Sequence, residues 1–251
     1  MSAPRESTQR IFQTKQIRCL IFDLDGTLID SSDDIYYAVN RVLQERLLPP
    51  LPKSQILSFI GKGVHWLVQQ VLSACHVDEV DLQIFKKRLM EIYSANSASK
   101  TVVYPGVHRN LKQLAQTPLK MAICTNKPEE LARSILEELG IHHYFIGLLG
   151  GESLSKRKPS PEPLQFLMEL FEVRPEQTLM IGDSVYDIIA GKAAQCWTCA
   201  AAYGFQSSEK LRQETPDLWI EEFSELWTLL YRNDMSKTSP PPSTWEDSMH
   251  T

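Results

Sequence analysis

Two kinds of apolar pattern alternate along the chain. One kind is short and predominantly apolar: the continuous run Cys19 to Phe22 in a strand predicted roughly from Ile17, then Leu119 to Cys124, Thr178 to Ile181, and Cys196 to Ala201. Runs of this length suit strands buried on both faces of a parallel sheet. The other kind repeats at three and four, as helices with one buried face do. Ile35, Ala38, Val39, Val42, Leu43 and Leu47 form the first such stripe, which starts at Ser32 and is ended by Pro49, Pro50 and Pro52. Val64, Leu67, Val68, Val71, Leu72 and Cys75 form a second, and Leu82, Phe85, Leu89 and Ile92 a third. Helices are also predicted over Val107 to Ala115, around Leu131, Ile135, Leu136 and Leu139 with Gly140 closing the end, and around Leu164, Leu167, Met168 and Phe171. Further helices carry Val185, Ile188, Ile189 and Ala193, and span Phe223 to Tyr231, while Tyr144 to Ile146 and Leu218 to Ile220 read as short strands.

Strands alternating with helices predict right-handed crossovers and an α/β, Rossmann-like parallel sheet. The organisation expected is a flexible arm over 1–16, a sheet core over 17–31 and 105–232, inserted helices over 32–104, and a disordered tail over 233–251. The tail's Ser-Pro-Pro-Pro-Ser run cannot bury a face. No internal repeat is present.

Composition narrows the classes. A hydrophobic content of 43% and a charged content of 23% are those of an ordinary soluble globular chain. The formal net charge of −5 argues against a nucleic-acid surface as the main business. No apolar run approaches a membrane span, and the N-terminus has no apolar signal core, so the chain reads as cytoplasmic. Five cysteines lie scattered in apolar segments rather than in a disulfide framework. Cys196 and Cys199 make a C-x-x-C spacing that is either a redox pair or, as the surrounding strand pattern favours, plain packing.

The candidate chemistry sits where the strands end. The first run stops at Asp23-Leu24-Asp25-Gly26, and residues two apart on an extended chain project to the same side. The two carboxylates are then either a site at the C-terminal edge of the sheet or a solvated acidic turn. A calcium loop would need further oxygen ligands before the glycine and a preceding helix, which this stretch lacks. The second run ends in Thr125-Asn126-Lys127-Pro128 and the third in Gly182-Asp183-Ser184. Any one of these has an easy structural explanation; all three at one sheet edge do not.

Phe22-Asp23-Leu24-Asp25-Gly26-Thr27-Leu28-Ile29-Asp30-Ser31 resembles the first motif of the haloacid dehalogenase-like (HAD) hydrolases, and within them the phosphoglycolate phosphatase family most closely. The resemblance runs from about Ile17 to Tyr231, with four motifs in order. It implies the HAD fold, with residues 32–104 as a helical cap; a helical excursion with no role in the site is the bland alternative. It implies Asp23 as the nucleophile that takes a phosphoryl group and Asp25 as the general acid/base. Thr125 resembles the second motif, whose hydroxyl bonds a phosphate oxygen, although a threonine there could also cap the following helix. Lys158, before Pro159, resembles the third-motif lysine, with Lys156 as its rival. Gly182-Asp183-Ser184-Val185-Tyr186-Asp187 resembles the fourth motif. There Asp183 joins Asp23 and the backbone carbonyl of Asp25 around Mg2+, and Asp187 orients Lys158 or holds a metal-bound water. Asn126 and the cap loop Gly61-Lys62-Gly63 are the expected substrate-binding residues. Lys62 is either a reader of a carboxylate or part of a flexible turn. The sequence departs from the family at Gln195, where glycine is common; if that backbone is left-handed, glutamine costs up to about 1–2 kcal/mol.

The implied function is a magnesium-dependent phosphatase acting on a small phosphorylated metabolite, 2-phosphoglycolate first among them, as monomer or homodimer with no nucleic acid or membrane partner. A sugar phosphomutase is the alternative within the fold; its first motif usually reads Gly-Val rather than Gly26-Thr27. A dehalogenase lacks the second aspartate. A non-enzymatic binding protein should have lost one of Asp23, Asp25, Lys158 or Asp183, and all are present.

Overall fold

The computed structural model describes residues 16–77, 82–96 and 98–231; the expected arm, apart from Gln16, and the expected tail over 233–251 lie outside them. The first apolar run forms β1 (Cys19–Phe22), and all four of its residues are fully buried. It pairs in parallel with β4 (Lys120–Cys124) on one side and β6 (Thr178–Gly182) on the other. Beyond β4 lies β5 (Gly147–Leu149), and beyond β6 lie β7 (Trp197–Ala201) and β8 (Leu218–Ile220). The six-stranded order is β5-β4-β1-β6-β7-β8, parallel throughout, as the pattern predicts. The chain builds outward from β1 in one direction and then in the other, so the order reverses beside β1. Such a reversal opens a crevice at the carboxyl ends of the strands.

Both faces of the sheet are covered, which is why its strands are predominantly apolar. Cys19 and Ile21 face a cluster with Leu164 and Leu167 of α7 (Glu162–Leu170) and Ala190 of α8 (Val185–Ala193). Leu20 and Phe22 face the opposite way, toward α5 (Val107–Leu114), α6 (Glu129–Glu138) and α9 (Glu225–Tyr231). Cys196 belongs to the first cluster and Cys199 to the second, so the two thiols lie on opposite faces of the sheet. All five cysteines are free, and the packing reading of this pair stands.

Between β1 and α5 the chain forms α1 (Ser32–Glu45), α2 (Lys53–Leu57), α3 (Val64–Ala74) and α4 (Leu82–Ser94). Helix α1 packs on α2 and α4, and α3 packs on α4, with the three predicted stripes buried between them. The two chain crossings into this unit are tied together. Strand β2 (Ile29–Asp30) pairs antiparallel with β3 (Val102–Val103). Beside them the buried Asp34 carboxylate accepts hydrogen bonds from the Lys100 and Thr101 amides and the Ser99 and Thr101 hydroxyls. A buried carboxylate with four donors is satisfied in place and fixes the geometry of the crossing.

Two local expectations fail for identifiable reasons. Leu47 is not on the α1 stripe: the helix stops at Glu45, and Leu47 is 94% exposed at φ 58°. The Leu47 and Leu48 amides donate to Gln44 and Leu43 oxygens, the paired bonds of a Schellman end, so the helix closes before the prolines are reached. Tyr144 to Ile146 is not a strand either; His142–Tyr144 is a single 3-10 turn and β5 begins at Gly147. A Cβ at Gly147 would stand 2.8 Å from the Phe171 ring, so the strand uses a glycine that propensity reads as a break. No helix among the described residues is long and apolar enough to cross a membrane.

Candidate active site

The carboxyl ends of β1, β4 and β6 are neighbours, so Asp23, Thr125 and Asp183 arrive together. Asp23 continues the ladder through its amide, which donates to Ile181 O at 2.9 Å. The chain then turns sharply, with Leu24 O accepting from the Thr27, Leu28 and Ile29 amides and Gly26 at φ 86°. A side chain at Gly26 or at Gly204 would run into Asp183. Both glycines thus let the backbone close around that carboxylate.

Asp23 is 7% exposed, and its Oδ1 lies 3.0 Å from Lys158 Nζ. Lys158 also donates to Asp187 Oδ1 at 2.6 Å, while Asp187 Oδ2 accepts from the Ser184 amide and hydroxyl at the start of α8. Asp187 thereby caps its own helix and anchors the ammonium. The rival Lys156 is largely exposed, 3.9 Å from Glu162. Burial and then the Asp187 charge push the Asp23 carboxyl up to about 7, against the pull of Lys158 and the Leu24 amide. Asp183 accepts from the Thr27 hydroxyl at 3.1 Å and the Phe205 amide at 2.8 Å. Its carboxyl is raised well above the usual range by burial and then by Asp23 and Asp187. Lys158 is held protonated despite burial, because Asp187 and Asp23 outweigh the desolvation that would lower it.

Oxygens of Asp23, Asp183 and Asp187 lie within 4.8 Å of one another. Of these three buried carboxylates, the Lys158 ammonium contacts two, Asp23 and Asp187. Both Asp187 oxygens are engaged by Lys158 and Ser184, which leaves Asp23 and Asp183 as the pair with charge to spare. An all-oxygen donor set without His or Cys suits a hard divalent cation, and the upward push on both carboxyls is what such a cation would relieve.

Thr125 is 3% exposed, and its hydroxyl accepts from the Lys127 amide at 3.2 Å. It caps a local turn rather than α6, whose N-cap is Pro128. Asn126 donates to Gly61 O at 2.7 Å and Lys158 O at 2.9 Å, which ties the Gly61-Lys62-Gly63 loop to the lysine loop. Its Oδ1 is a buried acceptor without a partner among the described residues. Gly61 and Gly63 take φ of 114° and 86°, and a Cβ at Gly63 would come within 2.9 Å of Asn126 O. Both glycines line a cavity of about 60 Å³ beside Asp23, Asp25 and Thr125, whereas Lys62 does not. The Lys62 ammonium instead lies 4.2 Å from the Trp66 ring centre and 5.3 Å from that of Tyr186.

Over residues 20–201 the chain matches the family model of the haloacid dehalogenase-like hydrolases. The chain belongs to that family. A phosphoglycolate phosphatase from Psychrobacter arcticus is 39% identical over 82% of this chain and 93% of its own. Phosphoglycolate phosphatase 1 from Pseudomonas aeruginosa is 35% identical over 88% and 82%. Among solved structures, a predicted phosphoglycolate phosphatase from Haemophilus somnus 129pt superposes with a TM-score of 0.82 at 31% identity, covering 85% of this chain and 98% of its own.

For a member of this family the site holds two residues that pattern reading passed over. Lys127 Nζ lies 2.9 and 3.0 Å from the Asp25 oxygens and 2.7 Å from Tyr93 Oη, while Ser31 Oγ donates to Asp25 at 2.6 Å. Lys127 is 7% exposed and Tyr93 6%. The sequence signal was thin: a loop lysine is ordinarily solvated, and Tyr93 follows the apolar stripe of α4 as a core residue would.

Proposed function

We propose that this HAD hydrolase is a magnesium-dependent phosphatase that converts 2-phosphoglycolate to glycolate and phosphate through an aspartyl-phosphate on Asp23. The observation that carries the reading is the separation of the two first-motif carboxylates. Asp23 sits with Lys158 in the acidic cluster, and Asp25 sits outside it against Lys127 and Ser31. The substrate named is that of the relatives at 39% and 35% identity.

An Asp23 oxygen attacks phosphorus, the bond from phosphorus to the ester oxygen breaks, and that oxygen takes a proton from Asp25. Water then attacks the phosphorus of the acyl phosphate, giving its proton to Asp25 and returning Asp23 as carboxylate. Two easier steps replace one very slow one. Asp23, Asp183 and the backbone carbonyl of Asp25 would hold Mg2+, which supplies charge neutralisation at the phosphoryl oxygens. Lys158 neutralises the nucleophile and the phosphate, Asp187 holds Lys158 in place, and the Thr125 hydroxyl meets a phosphate oxygen. Residues 17–31 and 105–232 act as the core and 32–104 as the cap. Asn126 serves the substrate indirectly, by joining the Gly61-Lys62-Gly63 loop to the core. The working form is a cytoplasmic monomer or homodimer.

Phosphate release from a panel of phosphorylated metabolites, with and without magnesium, tests the reading. Release from 2-phosphoglycolate that requires magnesium supports it. Glucose 6-phosphate formed from β-glucose 1-phosphate would favour a mutase, and no release from any compound would remove the enzyme reading.

A further inference from the structure

We infer that Lys127, braced by Tyr93 of α4, is the specificity residue of this site and reads the anionic end of the leaving group. The inference rests on the phosphatase reading above and names the group that selects its substrate. If Asp25 protonates the departing oxygen, the groups around Asp25 face the departing fragment. Lys127 is the one cation among the described residues lining the cavity at Asp25. Much of the remaining wall is apolar, including Ile60, Val64, Leu67, Leu89 and Leu131. An ammonium in such surroundings attracts an anion far more strongly than one in water does.

The donor count leaves room for a ligand. An ammonium has three N–H groups. The two Asp25 oxygens, at 2.9 and 3.0 Å, can share one of them, and Tyr93 Oη at 2.7 Å takes a second. The Tyr93 ring centre is 4.6 Å from the same Nζ, so the ring and hydroxyl together hold the ammonium at the cavity wall. The third N–H remains for the ligand. Lys158, already committed to Asp23 and Asp187, serves the phosphoryl end. Lys62, expected from sequence to read a carboxylate, rests on two aromatic rings. The cavity volume of about 60 Å³ is about four times what one water requires, which suits a fragment of two or three carbons. The ligand class is therefore a short carboxylate-bearing phosphate ester.

The test compares kcat/KM for 2-phosphoglycolate and for ethyl phosphate, which is similar in size but carries a methyl in place of the carboxylate. Wild type, K127Q, K127M and K62A are assayed with magnesium after thermal melts establish that each folds. Both Lys127 variants disturb Asp25 for both substrates, so the informative quantity is the ratio. Gln keeps an N–H for Asp25 and Tyr93, so K127Q decides the matter if K127M does not fold. Loss of the ammonium should lower the preference for 2-phosphoglycolate by at least about 30-fold. Equal slowing of both substrates, with the ratio intact, would mean that Lys127 only positions Asp25 and would overturn the inference. Collapse of the ratio in K62A but not in K127Q would overturn it in favour of the cap loop. Wild-type hydrolysis of both esters without preference would defeat this inference alone, whereas hydrolysis of neither would defeat the phosphatase reading beneath it.

Discussion

Replacing Lys158 by Met tests the electrostatic design of the site most severely. Its side chain is 1% exposed and lies 3.0 Å from Asp23 and 2.6 Å from Asp187, which are themselves 10% and 0% exposed at the side chain. K158M would leave both carboxylates, with Asp183 close by, in a buried cluster that has lost its cation. Removing one partner of a buried ion pair costs about 3–5 kcal/mol. For a chain of this size that lowers Tm by about 6–20 °C. The deficit should also depend on pH. Asp23 in wild type is already pushed up to about 7 by burial and Asp187, while Lys158 pulls it down, so losing Lys158 moves it higher still. A carboxyl with a raised folded pKa contributes stability that is complete below its unfolded value of 3.8 and is lost as pH rises through the folded value. K158M should therefore lose least near pH 5, where a proton replaces the missing cation, and most near pH 9. Urea unfolding in EDTA at both pH values measures this. A deficit below about 1 kcal/mol at pH 9 would refute the claim that these groups form one buried charge cluster, as would a deficit equal at the two pH values.

Other predictions concern the metal, the acid and the backbone. Magnesium at 100 times its Kd should stabilise wild type by about 2.7 kcal/mol. The gain should shrink as pH falls through about 7, because a protonated Asp23 is a poor ligand. D183N should show little of this thermal shift, and a wild-type shift in that variant would remove Asp183 from the metal site. D25N should slow release from an alkyl phosphate by about 10²–10⁴-fold. It should slow release from nitrophenyl phosphate much less, since that leaving group needs no proton; equal losses would contradict the acid role. Gln195 does sit at φ 62°, so Q195G should raise stability by about 0.5–1 kcal/mol without changing kinetics. A lower Tm would mean that the glutamine side chain matters more than the backbone.

How far the sequence disclosed this site follows from where its information lies. Strand ends were legible because a doubly covered strand is predominantly apolar, so the polar residues that follow the apolar run mark the sheet edge. That argument found Asp23, Thr125 and Asp183 without reference to tertiary structure. The strand pattern around Cys196 and Cys199 likewise favoured packing over a redox pair, and the structure adds that the two face opposite sides of the sheet. Burial of charge was not legible. Lys127 is buried by partners 102 and 34 residues away, and nothing in Thr125-Asn126-Lys127-Pro128 announces them. Lys62 stayed open for a related reason: a lysine between two glycines is either an anion reader or part of a turn, and local sequence does not show that Trp66 on the next turn and Tyr186 from α8 place rings beside it. β5 was displaced by three residues because its tightest packing point is a glycine.

Every assigned role depends on phosphorylation of Asp23. Wild-type enzyme is mixed with 2-phosphoglycolate labelled in its phosphoryl group, quenched in acid within milliseconds, digested and mapped by mass spectrometry. The label should appear on the peptide carrying Asp23, at Asp23 itself, be absent from D23N, and persist longer in D25N, where attack by water is slowed. Label on any other residue, or wild-type turnover with no covalent label at any quench time, would contradict the account even with the fold intact.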